Sequence, residues 1–406
     1  MENREKLKKL LKNTKFDDDN HDINSFKHII QHDFLVKFNK YKEFFKLNSI
    51  KWSNNLISIV NIDQISSDIL DNTNKYLPKH ISNDIRDNIK YKMIYSLKLY
   101  NIDIKVSFYL YDNDDLGDDL GYIHEYREIM MIWILFCILQ TPEGCSSKRN
   151  VLIDIYFTDH KKILPNIISS EILSSEHINS AFTYRCGGKE LGITVYRKEE
   201  WFKVLLHESI HYFGLDTILN DRTLNNDLAN LFNINSSIDV YESYCEFWSR
   251  LINTILIEYK KNKFIINKDI FLNIYKSFEI ERKFTCFQCV KMLAHMNIDY
   301  NELINPGNNT INYKEKTHVF GYYILSNIFI NNYVKFLIFL KENNKPDILR
   351  FYPRKNLNGI LDFIKNEYNS EILLKNINKI IPILIKLEKQ EDNSSIATAR
   401  MSINEL

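Results

Sequence analysis

Glycine and proline are scarce in this 406-residue chain, at 10 and 7 residues, which excludes collagen-like, linker-dominated and low-complexity architectures. Cysteine is scarce too. The six thiols, at Cys137, Cys145, Cys186, Cys245, Cys286 and Cys289, follow no regular framework and exclude a disulfide-stapled miniprotein. Neither sign of charge is in excess, with 53 Lys and Arg against 52 Asp and Glu. That balance excludes a polybasic nucleic-acid binder and a disordered acidic chain, so no nucleic-acid partner is expected. Long apolar runs are missing as well. The longest, Ile129 to Leu139, falls short of the roughly 18 residues a membrane span needs, and no membrane partner is expected. The opening residues MENREKLKKLLKN carry charge where a secretory segment would be apolar. The expectation is a protein that is not secreted and works in a reducing, cytoplasmic setting.

Apolar residues make up 45% of the chain and aromatic residues 13%, enough for a sizeable core in two or three compact units. Residues 1–85 carry apolar positions at three- and four-residue spacing, broken by the acidic turn Asp17 to Asn20, and predict an N-terminal helical extension. Such helices suit a docking partner. Alternation over Lys92 to Tyr111 predicts two strands joined near Asn101, followed by a buried helix from His124 to Gln140 and a strand from Val151 to Phe157. Asn179 to Tyr184 and Ile193 to Tyr196 read as a hairpin around Gly187 and Gly188. These segments place an α/β subdomain over 86–240. Helical periodicity dominates 241–388, and the polar residues 389–406 are expected to form a loosely ordered tail. The fold class is therefore α+β: a mixed sheet with an active-site helix, an N-terminal helical extension and a helical C-terminal subdomain.

The chemistry is concentrated in one run, where His207, Glu208 and His211 form HExxH. Histidines four apart project from one helix face, near enough for both imidazoles to reach a single ion. The carboxylate next to the first histidine is placed to take a proton from the water that such an ion activates. Chance produces this motif in about 2% of chains of this composition, so its surroundings matter. Trp201, Phe202, Val204, Leu205, Leu206, Ile210 and Phe213 make the helix apolar nearly all round, and buried histidines beside a glutamate need a reason. Gly214 predicts a left-handed helix end with Leu215 as its apolar contact.

A third ligand is required. The HExxHxxGxxH arrangement keeps its glycine at Gly214 but offers Thr217 in the ligand position, with Asp216 one place early. The alternative takes a glutamate from a second helix. Glu242 and Glu246 lie four apart among Tyr244, Phe247 and Trp248, with Glu242 placed 31 residues beyond His211. Glu242 is assigned as the ligand; Glu246, together with Asp216, is assigned as an outer acceptor steadying a histidine N–H.

HExxH followed by ExxxE resembles the gluzincin branch of zinc metallopeptidases, and the stretch from Asn179 through Trp201 to the metal helix resembles uncharacterised metallopeptidases of large DNA viruses. The resemblance implies a zincin-like core, a Zn2+ cofactor, hydrolysis of a peptide or protein substrate, and host cytoplasm or virion as the location. It also implies that Asn179, Ser180, Ala181 and Phe182 form an edge strand pairing with extended substrate, since an exposed edge accepts a peptide through backbone bonds. A donor for the developing oxyanion is implied from the downstream helices, in the order Tyr322, Tyr323, His318. Two other functions stay open: a virion or scaffold protein that keeps the metal helix for stability, and a zinc hydrolase of a non-peptide amide. Cys286 and Cys289 form a lone CxxC read as two buried thiols, and His124, Glu125 and Glu128 imitate the metal motif without its second imidazole.

Overall fold

The computed structural model describes residues 2–17, 22–59, 65, 69, 74–112, 114–145, 150–165, 171–186, 192–236, 238–305, 313–389 and 393–406. Gly187, Gly188 and residues 18–20 of the acidic turn lie outside these. The chain is mixed α/β and divides into two units. The first comprises Met1–Phe34, Ile163–Ile178 and Asp216–Glu405; the second comprises Leu35–Lys162, Asn179–Leu215 and Leu406. This division cuts the predicted N-terminal extension at residue 34, sending its first part to the helical unit and the rest to the sheet.

The second unit is built on a six-stranded mixed sheet. Its strands are β1 (Ser53–Ser58), β2 (Ile89–Leu99), β3 (Ile102–Tyr111), β4 (Asn150–Tyr156), β5 (Ala181–Thr183) and β6 (Ile193–Val195), in the order β1-β2-β3-β4-β6-β5. β2 and β3 form the predicted hairpin, turning at Tyr100 with φ 55°. β3 to β4 and β4 to β6 run parallel, and β5 pairs antiparallel with β6. On one face of β3, Val106, Phe108 and Leu110 are fully buried. On the other, Tyr109 stacks on Tyr156 with ring centroids 4.2 Å apart. β1 was not expected, because a helix was predicted throughout that region. Its residues Ser-Asn-Asn-Leu-Ile-Ser are mostly exposed, so no buried face betrays the strand, and it exists through edge pairing with β2.

The buried helix Leu116–Gln140 and the helix Trp201–Tyr212 belong to the same unit. Trp201, fully buried, meets Phe108, Tyr126 and Phe157 at centroid distances of 5.3, 4.8 and 5.9 Å. Burial of so large a ring contributes roughly 4–6 kcal/mol of transfer free energy. That outweighs the roughly 1 kcal/mol forgone where Glu200, in the N-cap position, makes no capping hydrogen bond. Glu200 is instead paired with Lys162 at 3.0 Å, both wholly buried. Cys145 and Cys186 are joined by a disulfide across 41 residues, which runs against the reduced thiols expected from the sequence. The pairing brings a helix end to a hairpin end, a proximity that spacing along the chain does not encode.

The first unit is helical around Val240–Lys261 and Lys268–His295, packed by aromatic contacts such as Phe247 on Phe336 and Phe34 on Trp248. Cys286 and Cys289 are buried, unbridged thiols here, as read from the sequence. The predicted loose tail is instead docked. Met401, Ser402, Ile403 and Asn404 are buried; Gln288 donates to the Arg400 carbonyl, Asn253 to that of Asn404 at 3.0 Å, and Glu281 accepts from Ser402 and Ile403 at 3.0 and 3.1 Å. Polar tail residues are satisfied by buried polar partners far away in sequence, which composition cannot reveal. Among the described residues no single helix is long and apolar enough to cross a membrane.

Candidate metal centre

In the second unit the Trp201–Tyr212 helix carries His207, Glu208 and His211. Its end forms as the sequence indicates: Gly214 has φ 67°, its N–H donates to the His211 carbonyl at 2.9 Å, and the Leu215 N–H donates to Ile210 at 3.0 Å. That 6→1 and 5→2 pair closes the last turn and holds His211 in helical conformation. His207 and His211 are both buried, at 4% and 7% exposure, and their Nε2 atoms lie 3.1 Å apart. Two nitrogens bound to one tetrahedral zinc at 2.0–2.1 Å stand about 3.3 Å apart, so the rings are within a few tenths of an ångström of a shared ion. The same spacing serves a hydrogen bond in which one neutral imidazole donates to the other. Glu208 faces the opposite way in burial, being partly exposed and so within reach of water.

The remaining assigned residues of this unit are Asn179, Ser180, Ala181 and Phe182, all buried. β5 is the last strand of its sheet, so the edge position is as expected. Asn179 and Ser180 lie just before it, and their carbonyls are already engaged, Asn179 accepting from Arg197 Nε and Ser180 from the Tyr196 N–H, each at 2.9 Å.

In the first unit Glu242 is buried in the first turn of the Val240–Lys261 helix, whose N-cap is Asp239. Asp239 accepts from His318 Nδ1 at 2.8 Å and from Asn225 at 3.1 Å, and His318 Nε2 lies 3.9 Å from Glu242. Gly321 is the second residue of the π-helical turn Phe320–Leu325 beside it. A Cβ there would come within 3.1 Å of the Asp239 carbonyl and 3.2 Å of Glu242 Cβ, so glycine permits the close approach that seats His318. Glu246 accepts from Arg250 Nε at 3.0 Å, with both groups buried; the sequence reading, which gave this carboxylate a histidine, did not foresee an arginine partner. Arg250 also donates to Thr285 Oγ1 at 2.6 Å and to the Tyr322 carbonyl at 3.2 Å. Asp216 is fully buried at the start of the short Thr217–Leu219 turn.

The three predicted oxyanion donors separate clearly. Tyr323 is fully buried and its hydroxyl donates to the Ala399 carbonyl, so its assignment is corrected: the group is committed to holding the tail. Tyr322 is partly buried, its ring edge-on to His318 at 6.0 Å. His318 is the one held by a carboxylate next to Glu242. Burial works against its charged ring, but the hydrogen bond to Asp239 and the charges of Glu242, Asp239 and Glu315 raise its pKa to about 9.

Sequence reasoning missed Asp239, Arg250 and Glu315. A signal for the first existed, since aspartate is favoured directly before a helix start, although here its side chain makes no capping bond and holds His318 instead. Glu315 accepts from the Phe320 N–H at 2.8 Å, from Tyr313 at 2.9 Å and from Ser236 at 3.2 Å, and burial pushes its pKa up to about 7. A folded pKa above the ordinary value of 4.5 stabilises the fold while the group is protonated. That contribution is complete below pH 4.5 and is lost as pH rises to about 7, amounting to about 3 kcal/mol. Urea unfolding of Glu315→Gln beside the unaltered chain checks this: between pH 4.5 and 8 the unaltered chain should lose about 3 kcal/mol relative to the variant. A constant difference would show that the carboxyl is not desolvated.

No protein-family model, curated protein or solved structure matches this chain.

Proposed function

We propose that the chain is a zinc-dependent metallopeptidase with a zincin-like core, acting on a peptide or protein substrate. The observation that carries the reading is the pair of buried imidazoles on one helix turn with Nε2 atoms 3.1 Å apart. Two buried nitrogens at that separation, one residue from a partly exposed carboxylate, are a donor set suited to zinc. His207 and His211 would hold the ion, and Glu242 is the third ligand by the sequence spacing. Zinc, when bound, lowers the pKa of a coordinated water and polarises a carbonyl.

The chain's own residues do the rest. Glu208 takes the proton from the attacking water and passes it to the leaving amine. His318, anchored through Nδ1 by Asp239, presents Nε2 as a donor to negative charge, and the anchoring fixes which ring nitrogen is available. The edge of β5 offers backbone groups to an extended peptide.

The test is metal content by mass spectrometry, together with hydrolysis of fluorescein-labelled casein. The full chain should retain close to one zinc per molecule and cleave the probe, and His207→Ala and His211→Ala should each lose the metal. Zinc retained in both histidine variants, or no zinc in the unaltered chain, would overturn the reading.

A further inference from the structure

We propose that the second unit holds a binding site for a nucleoside phosphate, in the cleft between the Val36–Leu47 helix, the turn that follows it and the Leu116–Gln140 helix. The cleft has a volume of about 590 Å³, within the range of small-molecule sites. Its walls carry Lys42, Lys46, Lys51 and Arg127 against one carboxylate, Glu128. Lys46, Lys51 and Arg127 make no ion pair among the described residues. In a chain whose total charge is nearly zero, this is a local concentration of positive charge facing a cavity.

The second half of the site is Trp52. Its Nε1–H donates to the Arg127 carbonyl at 3.0 Å, and its ring stands at 79° to that of Tyr95 with centroids 6.1 Å apart. Tyr95 is itself buried and tied through its hydroxyl to His124 Nδ1 at 2.8 Å. The indole is therefore fixed by its edge, and it lines the cleft without its single N–H being available to a ligand. A fixed aromatic face stacks a planar base, while a guanidinium and two ammonium groups in the same cavity pair with phosphate oxygens. An inorganic anion would use the charges and leave the indole unused. A nucleoside would use the indole and leave the charges uncompensated. Only a ligand with both parts satisfies the cleft.

The experiment uses ADP, titrated into the full chain with and without EDTA. Trp133, Trp201 and Trp248 are fully buried, so quenching of the fluorescence reports on Trp52. ADP should quench saturably, with or without chelator, since the site is independent of the metal reading and survives its failure. Arg127→Glu and Lys46→Glu should each weaken binding by about tenfold or more, as expected when a charge-assisted hydrogen bond is lost. Trp52→Phe should keep calorimetric binding while losing the optical signal, and inorganic pyrophosphate should bind at least about tenfold more weakly than ADP. Arg127→Gln, with a circular dichroism spectrum and melting point matched to the unaltered chain, covers the case in which charge reversal disturbs folding. Absence of saturable ADP binding overturns the proposal, as does ADP affinity unchanged in Arg127→Gln. Pyrophosphate binding as tightly as ADP would reduce the site to an anion patch. A single-stranded oligonucleotide binding far more tightly than ADP would also overturn it, because Lys51 lines a second cleft, of about 630 Å³, into which a polymer could continue.

Discussion

If the proposed peptidase reading holds, replacing Glu208 by Gln is expected to lower casein hydrolysis by about 10²–10⁴-fold, the usual contribution of a positioned general base, at unchanged zinc content. The substitution keeps the size and the hydrogen-bonding oxygen of the side chain and removes only its capacity to take a proton. Glu208 is partly exposed on a helix whose other residues, from Trp201 to Tyr212, are buried, so the variant leaves the packing of Trp201 and the histidines untouched. The predicted split between metal content and turnover is what distinguishes a base from a ligand. Zinc lost along with activity would make Glu208 a ligand or a structural group, and activity retained would remove the proton-transfer role altogether.

Replacing Arg250 by Met destabilises the fold by about 3–5 kcal/mol, because it takes the guanidinium away from the buried Glu246 carboxylate. Neither group of the pair has appreciable exposure, and the guanidinium serves Glu246, Thr285 and the Tyr322 carbonyl at once. Removing both charges should cost far less than removing one. The double variant Arg250→Met with Glu246→Leu is expected to recover most of the loss, since a buried ion pair replaced by apolar groups of similar volume is often close to neutral. Urea unfolding of the two single variants and the double variant measures the coupling. Equal stability of Arg250→Met and the unaltered chain would show that Glu246 has another source of compensation.

The elements that sequence reading recovered are those whose pattern is local. The β2–β3 hairpin shows in the alternation of Ile102, Ile104, Val106, Phe108 and Leu110, and the Trp201–Tyr212 helix shows in its apolar surround and in Gly214 at its end. The elements it missed are made by distant partners. β1 exists through β2, and the tail is ordered through Glu281, Gln288 and Asn253. The candidate site divides along the same line. His207, Glu208 and His211 are fixed by helical spacing and were legible, whereas the Asp239 carboxylate under His318 joins residues 79 positions apart in the chain. The commitment of Tyr323 to Ala399 is of this second kind, joining residues 76 positions apart that the sequence does not connect.

Each unit is stitched from separated stretches, and the stitching sets an order of assembly during synthesis. By residue 215 the ribosome has delivered all of the sheet unit except its final leucine. The opening 34 residues belong to the other unit, where Arg4 pairs with Glu405. At 5–20 residues per second they wait roughly 20–75 s for the remainder of their unit to emerge. During that interval Phe26 and Phe34 wait for Tyr333 and Trp248, the rings they pack against, to be made, so these early helices stay open to a chaperone until the later ones are complete.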